Sequence, residues 1–247
     1  VDLGLTGRTA IVCGGSAGIG LAIAEALTEE GANVALFARR PDVVEREAER
    51  LGALAVPGDV AVAEDLERLV RATVDAYGAI DILVNNSGGP PRSSALDLDE
   101  EKIVAAAQLM LVSAIRLTSL CLPYLEQSPA GRIVNVTSSS VREPIDNLAL
   151  SNSIRPGVIG WAKTLARELG PKGITVNSIA PGRIDTERVR EVYPDGPTED
   201  ELRAIPLGRL GTPREIGDLV AFLCSERGAY VTGTLITVDG GLTRGLV

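Results

Sequence analysis

The eight residues Cys13-Gly14-Gly15-Ser16-Ala17-Gly18-Ile19-Gly20 carry the first chemistry legible in the chain. They follow the apolar run Ala10-Ile11-Val12 and open a helical pattern from Ile19 to Glu30. Glycines here permit a tight turn and let backbone N–H groups approach a pyrophosphate at the positive end of a helix. A glycine cluster alone is often a plain turn; a strand before it and a helix after it point to phosphate binding. Histidine is absent from all 247 residues, which removes imidazole bases and every zinc site that needs them. Cys13, Cys121 and Cys224 are odd in number and far apart. They fit neither a disulfide framework nor a thiolate cluster, so no metal site is expected.

These residues must be positioned by alternating elements. Strand-like runs recur at Ala10–Val12, Asn33–Ala38, Ile82–Val84, Ile133–Val136, Ile174–Ile179 and Leu235–Val238. Helical patterns lie between them at Ile19–Glu30, Asp42–Leu51, Glu64–Tyr77, Asp99–Glu126, Ile154–Gly170 and Pro213–Ser225. Short buried-type strands separated by helices imply an α/β fold, a single doubly wound parallel sheet with helices on both faces. No linker or repeat interrupts the pattern, so residues 1–247 read as one domain. The stretch 185–210 reads as a lid or excursion, because it is charge-rich and holds Pro194, Gly196 and Pro197; a solvated loop is the plain alternative.

Composition bounds the partners. Hydrophobic residues make up 45 % and the formal charge is −9, which supports a sizeable core and disfavours a nucleic-acid or anionic-membrane surface. The most apolar stretch, between Lys102 and Arg116, is too short to span a bilayer and contains Gln108 and Ser113. No secretory signal is visible at the start, so a cytoplasmic protein with reduced thiols is expected.

The spacing Gly14-x-x-x-Gly18-x-Gly20 resembles the turn of the short-chain dehydrogenase/reductase family, with Cys13 in place of that family's threonine. The resemblance runs the whole length and is nearest to the family's 3-oxoacyl-carrier-protein reductases. Asn85-Asn86-Ser87-Gly88, Asp59-Val60, Asn135-Val136-Thr137-Ser138, Pro181-Gly182 with Thr186, and Gly233 with Val238-Asp239-Gly240-Gly241 follow in the family's order. It implies a nicotinamide dinucleotide held by Gly14, Ser16, Gly18, Ile19, Gly20, Asp59, Val60, Asn86, Gly88, Pro181, Gly182, Ile184 and Thr186. At the end of the second strand, where an acid would bind a ribose 2′-hydroxyl, the chain reads Ala38-Arg39-Arg40. An arginine fork grips phosphate oxygens, so NADP(H) is the expected cofactor. The competing explanation is an arginine-rich composition, since 21 of the 24 basic residues are arginine.

The catalytic set departs from the family. Ser138 keeps the serine position, but Ser151 stands for the tyrosine, Arg155 for the lysine and Met110 for the helix asparagine. Serine is a shorter and much weaker acid than tyrosine, and arginine does not readily release a proton. In this reading Ser138 polarises a substrate oxygen, Ser151 is a weak donor, and Arg155 holds the nicotinamide ribose. Arg142 and Glu143 either touch substrate or are surface charges. Pro156 either starts the following helix or bends it. Tyr193 could reach over the pocket as a substitute acid.

The expected function is NADP(H)-dependent reduction of a small-molecule carbonyl, or oxidation of the alcohol, through an altered site. The rival is a catalytically weak cofactor-binding protein with a sensing or partner-binding role. A serine hydrolase would need a base beside Ser138 or Ser151, and Arg155 is too basic to serve. The stripe Ile154, Val158, Trp161, Leu165 and Leu169 is either core or, as the family resemblance implies, part of a homodimer or homotetramer contact, with Leu235–Val247 at a second two-fold.

Overall fold

Strands that are covered on both faces read as unbroken apolar runs, and β1 (Thr9–Cys13) and β5 (Arg132–Val136) are buried at every position. The computed structural model describes residues 2–192 and 196–245. In it, β1 and β5 join β2 (Asn33–Ala38), β3 (Leu54–Pro57), β4 (Ile82–Asn85), β6 (Thr175–Pro181) and β7 (Leu235–Val238). All pair in parallel, in the order β3-β2-β1-β4-β5-β6-β7. This is the single doubly wound sheet that the alternation implies. The order reverses between β1 and β4, which opens a crevice beyond their carboxyl ends.

Side chains alternate across each strand, so the sheet has two cores. Val12, Leu36 and Val84 pack with Ile23 and Leu27 of α1 (Gly18–Glu29) and with Val220 and Leu223 of α9 (Pro213–Cys224). Ile11, Phe37 and Leu83 pack on the other face with Leu66 and Leu69 of α3 (Ala63–Tyr77), and with Leu117 and Cys121 of α5 (Ser113–Leu125). Ala162, Ala166 and Leu169 of α6 (Ala149–Leu169) join that second core. In the stripe on α6, Val158 and Leu169 are buried, whereas Ile154, Trp161 and Leu165 are only partly covered.

Several expectations change. The strand pattern misses β3, whose three apolar residues end at a proline that an edge strand tolerates. Helix α6 starts at Ala149, five residues before Ile154, and passes through Pro156 without beginning there. Its first turn is held from outside: the Asn152 amide accepts from Ile145 N–H at 3.2 Å and donates to Ile145 C=O at 2.9 Å. The stretch from Lys102 to Arg116 proves to be part of a longer helix. Helix α4 (Glu100–Ala107) and α5 join through a π turn at Gln108–Val112 into one run, Glu100–Leu125. By length and composition alone that run could cross a membrane, because its apolar windows tolerate Arg116. In this fold Leu117, Cys121 and Leu125 lie against the sheet, while Ile103, Val104 and Ile115 are exposed.

The stretch after β6 is more ordered than a plain loop. It holds α7 (Glu187–Val192) and α8 (Glu199–Arg203), which a Thr198–Glu201 capping box starts, and it buries Ile205. Tyr193 lies outside the described residues. The remaining helix, α2 (Pro41–Leu51), follows β2 directly.

Candidate active site

The crevice at the strand reversal is a groove of about 650 Å³. Its floor is the glycine turn. Gly14 has φ +61°, a conformation that side chains strain to adopt. A β-carbon on Gly20 would stand 2.1 Å from the Gly14 carbonyl oxygen and 2.7 Å from Asn86 Nδ2. Asn86 closes the turn from the end of β4, donating to the Cys13 carbonyl at 3.2 Å. The turn delivers the chain into α1, whose N-cap Ala17 offers no side-chain cap and whose first turn holds no acid. Its free N–H groups therefore face the groove as an anion site. Cys13 contributes no chemistry: burial pushes its thiol up to about 12.

Along the groove lie Ser16, Gly18, Ile19 and Thr186 beside the turn, then Asn86 and Gly88 from the loop after β4. At the other end are Arg39, Arg40, Asp59 and Val60. Arg39 is exposed, and none of the described ion pairs involves it. Arg40 reaches Glu187 at 3.7 Å. Asp59 is held in place on both sides, its carboxylate accepting from Ala61 N–H at 2.9 Å and its own N–H donating to Asp65 at 2.8 Å. Thus most of the cofactor residues implied by the motifs share one groove. Pro181, Gly182 and Ile184 are not part of its lining. Gly182 donates to the Val238 carbonyl at 2.9 Å and lacks a β-carbon because Asp239 stands there, while Ile184 packs into the core.

The catalytic candidates sit deeper. Ser138 Oγ caps the short 3₁₀ turn Ser139–Val141 by accepting from Ser140 N–H at 3.1 Å. Ser151 is 4 % exposed and its Oγ lies 3.0 Å from Ser140 Oγ, so it faces a buried serine and not open groove. Arg155 donates to the Val136 carbonyl at 3.2 Å and to the Gly88 carbonyl at 2.6 Å, tying the loop after β4 to the end of β5. Met110 lies on the π turn and is buried with Ala106 and Leu150. Arg142 and Glu143, expected at the substrate or on the surface, instead bind the C-terminal segment. Arg142 donates to the Leu235 carbonyl at 3.4 Å, and Glu143 accepts from Arg244 N–H at 2.6 Å.

Sequence reasoning missed Ser140, which fixes both other serines, one through its N–H and one through its hydroxyl. The triplet Ser138-Ser139-Ser140 was the available signal. It also missed Asn135, which pairs with Asn85 at 2.9 Å and borders a cavity of about 20 Å³ beside Met110 and Arg155. The described side-chain hydrogen bonds of Ser138 and Ser151 both go to Ser140, so no base for a hydrolytic serine is seen among the described residues.

A family profile described as "Enoyl-(Acyl carrier protein) reductase" matches residues 14–243, nearly the whole chain. The chain belongs to the short-chain dehydrogenase/reductase family. It is 37 % identical over 244 residues to the 3-oxoacyl-[acyl-carrier-protein] reductase FabG of Vibrio cholerae, covering 97 % of this chain and 99 % of that protein. The L-sorbose reductase of Gluconobacter frateurii, solved with NADPH and L-sorbose, superposes with TM-score 0.94 at 31 % identity over the full length of both chains. An NADPH-bound short-chain oxidoreductase of Pseudomonas aeruginosa PAO1, described as containing an atypical catalytic center, superposes with TM-score 0.91 at 34 % identity, covering 96 % of this chain and 97 % of that one. This short-chain dehydrogenase/reductase carries a glycine turn and groove at the strand reversal, with Ser151, Arg155 and Met110 buried nearby.

One substitution made at two glycines separates cradle from backbone strain. Gly20→Ala should abolish dinucleotide binding in a fluorescence titration, because the new carbon collides with the Gly14 carbonyl. Gly52→Ala, which unlike Gly20 stands at positive φ and has open space around it, should cost only about 1 kcal/mol of stability in urea unfolding and leave binding intact.

Proposed function

We propose that this chain is an NADP(H)-dependent oxidoreductase acting on a small-molecule carbonyl or the corresponding alcohol through an altered site. The carrying observation is the intact cradle with Arg39 and Arg40 at the end of β2, where an adenosine 2′-phosphate is read. The NADPH in both related reductase structures supports this cofactor. In this reading the α1 N-terminus holds the pyrophosphate, Arg39 and Arg40 the 2′-phosphate, and Asp59 and Val60 the adenine. Asn86 and Gly88 border the nicotinamide ribose. Thr186, with main chain from Pro181 to Ile184, serves the carboxamide.

Bound NADP(H) supplies the hydride chemistry. The chain's own part is to orient and polarise. Ser138 Oγ already accepts from Ser140 N–H, so its proton is free to point at a substrate oxygen. Ser140 and Ser151 share one hydrogen bond, which holds Ser151 as a buried dipole. Arg155 sets its guanidinium beside the loop after β4, where the resemblance puts the nicotinamide ribose. Serine is a much weaker acid than tyrosine and arginine does not readily release a proton, so in this reading the substrate oxygen takes its proton from solvent through Ser138. Loss of a general acid costs about 10²- to 10⁴-fold in rate, which makes this a slow or specialised catalyst.

Arg39→Ala should weaken NADPH binding about tenfold or more and leave NADH within about twofold, as loss of a charge-assisted contact to phosphate would. Equal affinity of the native protein for both cofactors would refute the assignment.

Ser151→Tyr with Arg155→Lys should raise kcat for NADPH-dependent reduction of a generic ketone, by about tenfold, and more with Met110→Asn. The gain is partial because a tyrosine must displace the Ser140 contact. A brisk native activity that this pair of substitutions kills would mean that serine and arginine are tuned for a particular substrate.

The protein is proposed to assemble as a homotetramer or homodimer, in a reducing cytoplasmic setting that suits three buried free thiols. The exposed Ile103, Val104 and Ile115 and the open edge of β7 are the faces that support assembly. Sedimentation equilibrium at micromolar concentration should give two or four subunits; a monomer would overturn it.

A further inference from the structure

We propose that Glu187 is a cofactor-selectivity residue: it holds Arg40 across the mouth of the dinucleotide groove, and an adenosine 2′-phosphate must take Arg40 from it. The inference rests on the reading that Arg39 and Arg40 face that phosphate. Arg40 is the N-cap of α2 at the end of β2, and Glu187 is the first residue of α7 after β6. Both line the same groove, from opposite sides of the sheet reversal, and their charged groups are 3.7 Å apart. The neighbouring cation of α7, Arg190, is engaged by Asp185 through two hydrogen bonds at 2.9 and 3.1 Å. Thr186, next to Glu187, lies over the glycine turn, its methyl 3.2 Å from where a Gly18 β-carbon would be. The ion pair therefore straps the start of α7 down over the pyrophosphate site.

The side chains of Arg40 and Glu187 are 57 % and 68 % exposed, so the pair is weak and screened. A ribose 2′-phosphate, carrying a charge of about −1.5 to −2 near pH 7, is the stronger partner for a guanidinium. It displaces Glu187 and then stands beside a like charge. A free 2′-hydroxyl has neither effect and leaves the strap tied. Glu187 thus lowers affinity for 2′-phosphorylated adenosines selectively, and its pair with Arg40 is broken by NADPH but not by NADH.

The test is isothermal titration of native protein, Glu187→Gln and the remote control Asp75→Asn with adenosine 2′,5′-bisphosphate and with AMP, repeated with NADPH and NADH at fixed ionic strength. Asp75 is exposed on α3, away from the groove. Glu187→Gln should bind the two 2′-phosphorylated ligands about twofold to fivefold more tightly, the range of an exposed ion pair. AMP and NADH should change by less than about 1.5-fold, and Asp75→Asn should alter none of the four. Unchanged or weaker bisphosphate binding by Glu187→Gln, or a gain shared with AMP or with Asp75→Asn, would overturn the role of Glu187. A native protein that fails to prefer the bisphosphate over AMP would overturn the arginine assignment and this inference with it.

Discussion

The carbonyl oxygen of Gly14 stands 2.1 Å from the place a β-carbon on Gly20 would occupy, and the site depends on that approach. It lets the chain leave β1, turn through Gly14 at positive φ and enter α1 with its N–H groups aimed into the crevice. Asn86 then reaches across from β4 to the Cys13 carbonyl, so the neighbouring strand guards the same turn. The constraint joins the two strands between which the sheet order reverses. A cofactor groove at that point follows from topology and glycine together, because neither makes a crevice with free N–H groups by itself.

The region around Ser138, Ser151 and Arg155 is organised around different bonds. Arg155 spends two nitrogens on the carbonyls of Val136 and Gly88, joining the ends of β5 and β4, a task that suits the fork of a guanidinium. Ser151, too short to reach outward from the first turn of α6, finds Ser140 in the interior. Met110 packs as an apolar residue on the π turn. All three side chains are engaged with the interior: Arg155 with two carbonyls, Ser151 with Ser140 and Met110 with apolar neighbours. Ser138 is held by Ser140 at the turn that follows β5.

Packing also ties the site to the chain's far end. Glu143 and Arg142, one turn after Ser138, bind the segment 235–244. Gly182 is bare because Asp239 presses against it. The loops around Ser138 are therefore braced by the last strand and the residues after it. The residues after β6 are in turn anchored by Ile205, buried against Gly240.

Periodicity and glycine placement were enough to read the parallel α/β sheet, most element positions and the phosphate-binding turn. Those features are local: apolar runs, helical spacing and a turn between them carry them in consecutive residues. The strand β3 escaped notice because three apolar residues at an edge make too faint a run, and the start of α6 because its first turn is held by contacts with Ile145 and not by its own pattern. Ser151 and Arg155 could be named as substitutions, but not what they touch. Their partners, Ser140, Val136 and Gly88, are distant in sequence or lie around a turn, and only the folded chain brings them within hydrogen-bond reach. The sequence by itself determined that a nucleotide-binding turn exists and that serine, arginine and methionine stand at positions 151, 155 and 110. The tertiary structure decided where the replacement side chains point, because hydrogen bonds between distant segments depend on how the strands and helices are stacked.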